Sequence, residues 1–255
     1  MKRAEESAAG GWPLGPGVEF LTADANGLVA LAKPEGVLSH PNRPGEEERS
    51  LLNAPYRLDG EYFEWRSAPE AAPRRAYLLN RLDSGTSGVI LLARSEELAG
   101  ALREHFRHQR VAKHYAALVF GAPTPPVQVW RDRLAVRKEG GVVRTETAGN
   151  IPAEAKVRVL KVSAGDPPLA LIELEPRTGR SHQLRVQCAS RHLPIVGDAT
   201  YGNFRLNRDF TRASGERRLF LHSAETTFEY AWKGRRHRFT ARAPLPASFA
   251  RALRA

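Results

Sequence analysis

YLLNRLDSGTSGVILLA, residues 77–93, places one acidic residue in a small-residue turn between two apolar runs. Tyr77-Leu78-Leu79 and Val89-Ile90-Leu91-Leu92-Ala93 read as strands. The turn between them, NRLDSGTSG (80–88), can hold Asp83 at the lip of a cleft. Its glycines let backbone approach a ligand closely. Ser84, Thr86 and Ser87 can fix the carboxylate or contact phosphate. Arg81 projects to the same side as Asp83 if the segment is extended. The same residues also fit an ordinary turn, where Asp is common, so this stretch alone leaves both readings open.

Upstream, Val18–Leu21 and Leu28–Ala32 flank Asp24-Ala25-Asn26-Gly27, a hairpin loop. Lys33-Pro34-Glu35-Gly36 breaks the second strand. A short helix is expected over Ser50–Leu58 and a loop over 66–75. Residues 1–16 lack periodicity and read as a mobile tail that docks, if at all, through Trp12. Residues 17–255 show no clear interdomain linker and read as one domain. Downstream, Ser95 is an N-cap for a helix from Glu96 to Arg107, with Leu98, Leu102 and Phe106 on one face. Ala112–Val119 is a strand, and 127–175 alternates as a run of antiparallel strands. A helix is expected over Ser181–Arg191, and a polar, Arg-rich loop over 203–218. Leu219–His222, Glu225–Tyr230 and Arg236–Ala241 read as closing strands. The fold class is α+β, a mixed, largely antiparallel sheet with flanking helices.

The 255 residues are 42% hydrophobic and 26% charged, which excludes disorder of the whole chain. The longest strongly apolar runs are about five residues, against roughly 20 for a membrane-spanning helix. No signal peptide is expected, and a reducing cytoplasm is the expected compartment. The one cysteine, Cys188, excludes an intramolecular disulfide and a Cys-based zinc cluster. It reads as a small core residue. His105 and His108 read as a helix's solvent face, and no metal site is expected. The net charge is +11, carried by 39 Lys and Arg against 28 Asp and Glu. A basic, Arg-rich chain suggests a polyanionic partner, most simply nucleic acid. Arg205, Arg208, Arg212, Arg217 and Arg218 crowd one expected phosphate-binding surface. Lys233, Arg235, Arg236 and Arg238 crowd another.

Two further stretches carry chemistry. RTGRSHQLR (177–185) packs Arg, His and Gln into a turn and helix start, where phosphate binds well. In Lys113-His114-Tyr115, Tyr115 can stack on a base, although a strand Tyr also fits a core.

Taken together and in order, the stretches resemble the ribosomal large-subunit pseudouridine synthase A (RluA) family. LAKPEGVLSHP (31–41) looks like its Lys-Pro-x-Gly segment. NRLDSGTSGVILLA (80–93) looks like its His-Arg-Leu-Asp signature, with Asn80 standing where the family usually has His. KHYAALVFG (113–121), RTGRSHQLRVQCASRHLPIVGDATYG (177–202) and LFLHSAETTFEY (219–230) resemble the rest. The resemblance spans roughly 18–243. It implies the pseudouridine synthase fold with a central RNA-binding cleft, and isomerisation of uridine in ribosomal or transfer RNA without a cofactor. It implies that Asp83 is the catalytic aspartate, that Arg185 is its ion partner and lowers its pKa, and that Tyr115 stacks on the uracil. Arg81, Thr86, Arg180, His182, Gln183 and Lys33 are expected on the substrate. A changed local hydrogen bond and an intact mechanism are expected at Asn80. The expected assembly is a monomer. An RNA-binding protein without catalysis and a glycosidic hydrolase are the alternatives.

Overall fold

Asp24 closes the first turn. Its carboxylate accepts from the Asn26 and Leu28 amides at 2.9 and 3.0 Å. β1 (Glu19–Ala23) and β2 (Leu28–Lys33) therefore pair as an antiparallel hairpin. The computed structural model describes residues 11–139, 142–165 and 167–254. The chain divides into two compact units. One holds the chain up to Val111 together with Glu225–Ala243, and the other holds Ala112–Ala224 with the segment from Pro244.

In the first unit follow β3 (Tyr56–Arg57), β4 (Tyr62–Trp65), β5 (Arg74–Leu78), β6 (Ser87–Ala93) and helix α1 (Glu96–Arg107). The ladder runs β3-β4-β5-β6 with antiparallel pairing, and β2 lies against the other edge of β6. All seven residues of β6 are buried, because alternate side chains feed two cores. Val89 and Leu91 pack with Leu28, Leu98 and Leu102, while Ile90 and Leu92 pack with Leu31, Leu51 and Phe63. Ser95 caps α1 as expected, its Oγ accepting from Leu98 N. His108 is exposed beside Glu104. His105 departs from the expected solvent face. It is half-buried 6.3 Å from the Phe228 ring, and burial lowers its pKa, with Arg110 and His108 adding to the effect.

The helix expected over Ser50–Leu58 is absent. A single 3-10 turn, Glu47–Arg49, precedes an extended run. Its amides are claimed elsewhere, Leu51 N by Leu38 O and Asn53 N by Pro13 O. Pro55 removes a further donor. Gly11–Pro16 dock through Trp12, as the sequence allowed. The Trp12 ring lies 5.2 Å from Trp65, under the Arg94 guanidinium. Residues 1–10 of the expected tail lie outside the described residues.

The second unit contains β7 (Ala112–Phe120), β8 (Val127–Glu139), β9 (Val142–Thr147), β10 (Ile151–Val162) and β11 (Leu169–Pro176). Their spatial order is β7-β11-β10-β8-β9, all antiparallel. Strict alternation in β11 buries Ala170, Ile172 and Leu174. Helix α2 (Gln183–Ala189) is shorter than the expected 181–191. Cys188 lies in the core, and burial pushes its thiol pKa up. Residues 203–218 are largely helix, not loop. α3 (Phe204–Ser214) is capped by the Asn203 side chain on Leu206 N and ends at Gly215 in the left-handed region. β12 (Leu221–Trp232) begins in this unit and ends in the first, where it forms a hairpin with β13 (Arg235–Arg242). The short α4 (Ala247–Ala252) returns Phe249 to the second unit's core. No helix of the described residues is long and apolar enough to cross a membrane.

Candidate active-site residues

In the first unit, the Asp83 loop is fastened at four places. Asn80 Oδ1 accepts from Leu91 N at 2.8 Å, tying the loop's start to β6. Ser39 Oγ donates to Leu82 O at 2.7 Å and accepts from Leu82 N at 3.0 Å. Thr86 N closes the turn on Asp83 O at 3.0 Å. Lys33 Nζ donates to Ser84 O at 3.0 Å, and also to Pro34 O and Val37 O at 2.9 and 2.7 Å. Asp83 is half-buried at the tip, with Arg81 exposed two residues before it.

Two expectations change here. Lys33 is only 1% exposed, and its ammonium is ringed by carbonyls. It braces the loop and is not presented to RNA. Thr86 is 2% exposed and likewise belongs to the loop's support.

In the second unit, the turn after β11 is organised by Gln183. Its Oε1 accepts from Thr178 Oγ1 at 2.7 Å and from Arg180 N at 3.1 Å. Its Nε2 donates to Glu154 O and to Gln187 Oε1, both at 3.1 Å. Gln183 is 3% exposed, so this residue expected on the substrate is a lock for the turn. Arg180 is exposed, reaching only the Pro152 carbonyl at 3.4 Å.

His182 precedes α2 with φ 52°, and its Nδ1 lies 2.8 Å from the Tyr201 hydroxyl. That hydroxyl also accepts from Thr145 N at 2.9 Å. The same hydroxyl therefore ties His182 to the β9 backbone. Arg185 is buried on α2, its guanidinium carbon 5.0 Å from the centre of the Tyr201 ring. It forms a fork with Asp198, Nε to Oδ2 and Nη2 to Oδ1, each 2.8 Å. Asp198 also accepts from Thr200 N and Tyr201 N at 2.8 and 2.9 Å. Burial alone would push the Asp198 carboxyl up. The hydrogen bonds and charge of Arg185, helped by the two amides, outweigh it and hold the carboxyl below its ordinary value.

Tyr115 lies on β7 opposite Leu174. Lys113 shares its side of the strand, two residues earlier. Burial lowers the Lys113 pKa, and its Nζ lies 3.3 Å from where a Cβ on Gly179 would stand. Sequence reasoning gave no role to Asp198, Tyr201 or Lys113. The available signal was a lone acid in the otherwise apolar PIVGDATYG (194–202).

The structure therefore groups Lys33, Thr86, Arg81 and Asp83 in the first unit. It groups Arg180, His182, Gln183 and Arg185 on one turn and helix of the second, with Tyr115 on β7 of that unit.

The family described as RNA pseudouridylate synthase matches residues 27–190. An RNA pseudouridine synthase of Chloroflexus aurantiacus, described as uncharacterized, is 33% identical over 231 residues. That alignment covers 87% of this chain and 64% of the relative. The tRNA pseudouridine synthase C of Haemophilus ducreyi is 31% identical, covering 77% of this chain and 79% of the relative. The solved structure of Human RNA Pseudouridylate Synthase Domain Containing 4 superposes with a TM-score of 0.67 at 25% identity, covering 92% of both chains. The chain belongs to the RNA pseudouridylate synthase family, isomerases that convert uridine to pseudouridine within RNA.

Proposed function

We propose that this chain isomerises a uridine in ribosomal or transfer RNA, with Asp83 as the catalytic carboxylate and no cofactor. The observation that carries this is the mounting of Asp83. A half-buried carboxylate sits at the tip of a loop braced by Lys33, Ser39 and Asn80. Such bracing fixes a reacting group far better than a free turn does. The N1–C1′ bond breaks, the uracil rotates, and C5 bonds to C1′. The C5 proton is lost to solvent and N1 regains one.

Tyr115 stacks on the uracil, and Arg185, held by Asp198, is the cation that the family resemblance brings to the reaction. Exposed Arg81 holds the strand where the target nucleotide leaves its stack. Arg180 and His182 contact phosphate or pocket. A relative named for transfer RNA makes that the first substrate to try.

The test is tritium release from RNA labelled at uridine C5, comparing wild type with Asp83→Asn. Release by the wild type alone is expected. No release from any unmodified ribosomal or transfer RNA pool overturns the reading. Free uracil among the products would mean a hydrolase.

A further inference from the structure

The helix α3 has two unlike sides. Leu206 and Phe210 pack into the second unit's core, with Phe210 edge-on to Phe120 and Phe220 at 6.2 and 5.6 Å. Asn207 fastens the helix to the chain beside it. Its Oδ1 accepts from Gly197 N at 2.8 Å, and its Nδ2 donates to Asp198 O at 3.0 Å. This inner side needs no partner.

The outer side carries Phe204, Arg205, Arg208, Asp209 and Arg212, all exposed. Phe204 is 70% exposed, the one aromatic among the large apolar residues left in water by the described structure. The helix forgoes burial of a ring in its first turn, although its inner side packs well. Arg205, Arg208 and Arg212 follow at the spacing of one helical face, over about 10 Å of axis. Asp209 is the only acid between them. It lies 3.9 Å from Arg205 and 3.8 Å from Arg212, with both arginine side chains more than three-quarters exposed. Contacts this long and wet leave the guanidiniums available to a stronger anion.

An exposed ring beside a row of guanidiniums matches single-stranded nucleic acid. The ring takes the face of any unstacked base, and the cations take the backbone. The net charge of +11 favours the same partner. We infer that the outer face of α3 is an RNA-docking surface, with Phe204 stacking on an unpaired base and Arg205, Arg208 and Arg212 contacting the adjoining phosphates. This rests on the RNA-modifying reading above. The structure also trims the expected basic cluster. Arg218 is drawn inward, lying over Phe220 and Phe249 at 5.8 and 5.4 Å, with Nη1 3.4 Å from Ser248 Oγ. It packs the core and does not belong to this surface. Through Asn207 the surface is fixed to the Gly197-Asp198 turn that holds Arg185. RNA gripped by α3 is therefore held at a set position relative to that arginine.

The test uses the full chain, labelled transfer RNA transcript, and two variants. One is Phe204→Ala, and the other combines Arg205→Gln, Arg208→Gln and Arg212→Gln. Both alter exposed side chains, and matching melting temperatures check that folding is intact. Phe204→Ala is expected to weaken RNA binding about tenfold with the salt slope unchanged, as loss of one stacked base predicts. Phe204→Trp should restore it. The triple variant should lower the slope of log K against log salt by about two. In tritium release both should raise KM and leave kcat near wild type. Wild-type affinity and slope in both variants overturn the inference, and leave an acidic protein surface as the occupant of this face. If wild type converts RNA and the variants match it, only the docking surface falls. If wild type neither binds nor converts RNA, the functional reading falls and takes this one with it.

Discussion

Asp198 grips Arg185 through both carboxylate oxygens, at 2.8 Å each, with both residues buried. The acid is thirteen positions further along the chain, in a turn whose amides it also fixes. Removing one member of such a pair strands the other charge. Asp198→Ala is expected to lose about 3–5 kcal/mol of stability. Tritium-release activity should fall with it, since Arg185 loses its orientation. Denaturant melts measure the first effect, and a change under about 0.5 kcal/mol would show that the pair matters little.

The same pair sets a pH dependence. The folded-state pKa of Asp198 is depressed, so its contribution is complete above the unfolded value, roughly 3.9. It fades only as pH falls through the lower, folded value. Stability should show no effect of this pair between pH 6 and 8. Below about pH 4, wild type should lose stability more steeply than Asp198→Ala. Parallel acid limbs for the two proteins would contradict the assignment.

Lys33→Met tests the brace under Asp83. It leaves the Pro34 and Val37 carbonyls without the Lys33 donor and Ser84 O with only the Gly36 amide, and a cost of roughly 3 kcal/mol is expected. Lys33→Arg should not rescue it, because a planar fork fits a ring of carbonyls poorly. RNA affinity should stay within about twofold, which separates a brace from a phosphate contact. A large loss of affinity with unchanged melting would return Lys33 to the RNA.

Two glycines in the left-handed region should differ sharply. At Gly197, with φ 74°, an added Cβ would stand 1.7 Å from the Arg218 carbonyl oxygen. At Gly36, with φ 78°, nothing lies within 4 Å. Gly36→Ala should cost only about 1–2 kcal/mol of backbone strain. Gly197→Ala must also displace backbone, and should melt far lower or fail to fold. Similar melting temperatures for the two variants would count against the described turn.

Asn80 stands where relatives of the resemblance have His, and its carbonyl oxygen satisfies the Leu91 amide. A histidine Nδ1 can accept the same bond, so Asn80→His should change stability by less than about 1 kcal/mol and keep activity. Asn80→Leu orphans the amide and should cost about 1–3 kcal/mol. Equal stability of the two variants would remove the role assigned to this side chain.

Much of the fold was legible because alternation and caps are local. β6 and β11 could be read from their apolar spacing, and α1 from Ser95 with Leu98 and Leu102. α3 was missed because Arg residues outnumber its two inward apolar side chains. Its real signals were Asn203, the Leu206–Phe210 spacing and Gly215. The 50–58 run was misread because tertiary partners for its amides override local preference. The chemistry-bearing stretches were found, but the direction of each side chain was not. Lys33 looks like a surface cation until Ser84, 51 residues away, is brought beside it. Gln183 and Asp198 are explained only by their acceptors and donors, which residue spacing does not encode.

The interleaving of the two units has a consequence during synthesis. The first unit, begun near the amino end, needs Phe228, Phe239 and Ala241 for its core. The second cannot close around Phe220 until Phe249 has been made. Neither core is therefore complete when its first strands leave the ribosome. More than 200 residues must emerge before the first is finished, and the apolar face of its early strands stays incompletely covered meanwhile. A translation pause placed just before residue 225 would prolong that wait, and with it the demand for chaperones.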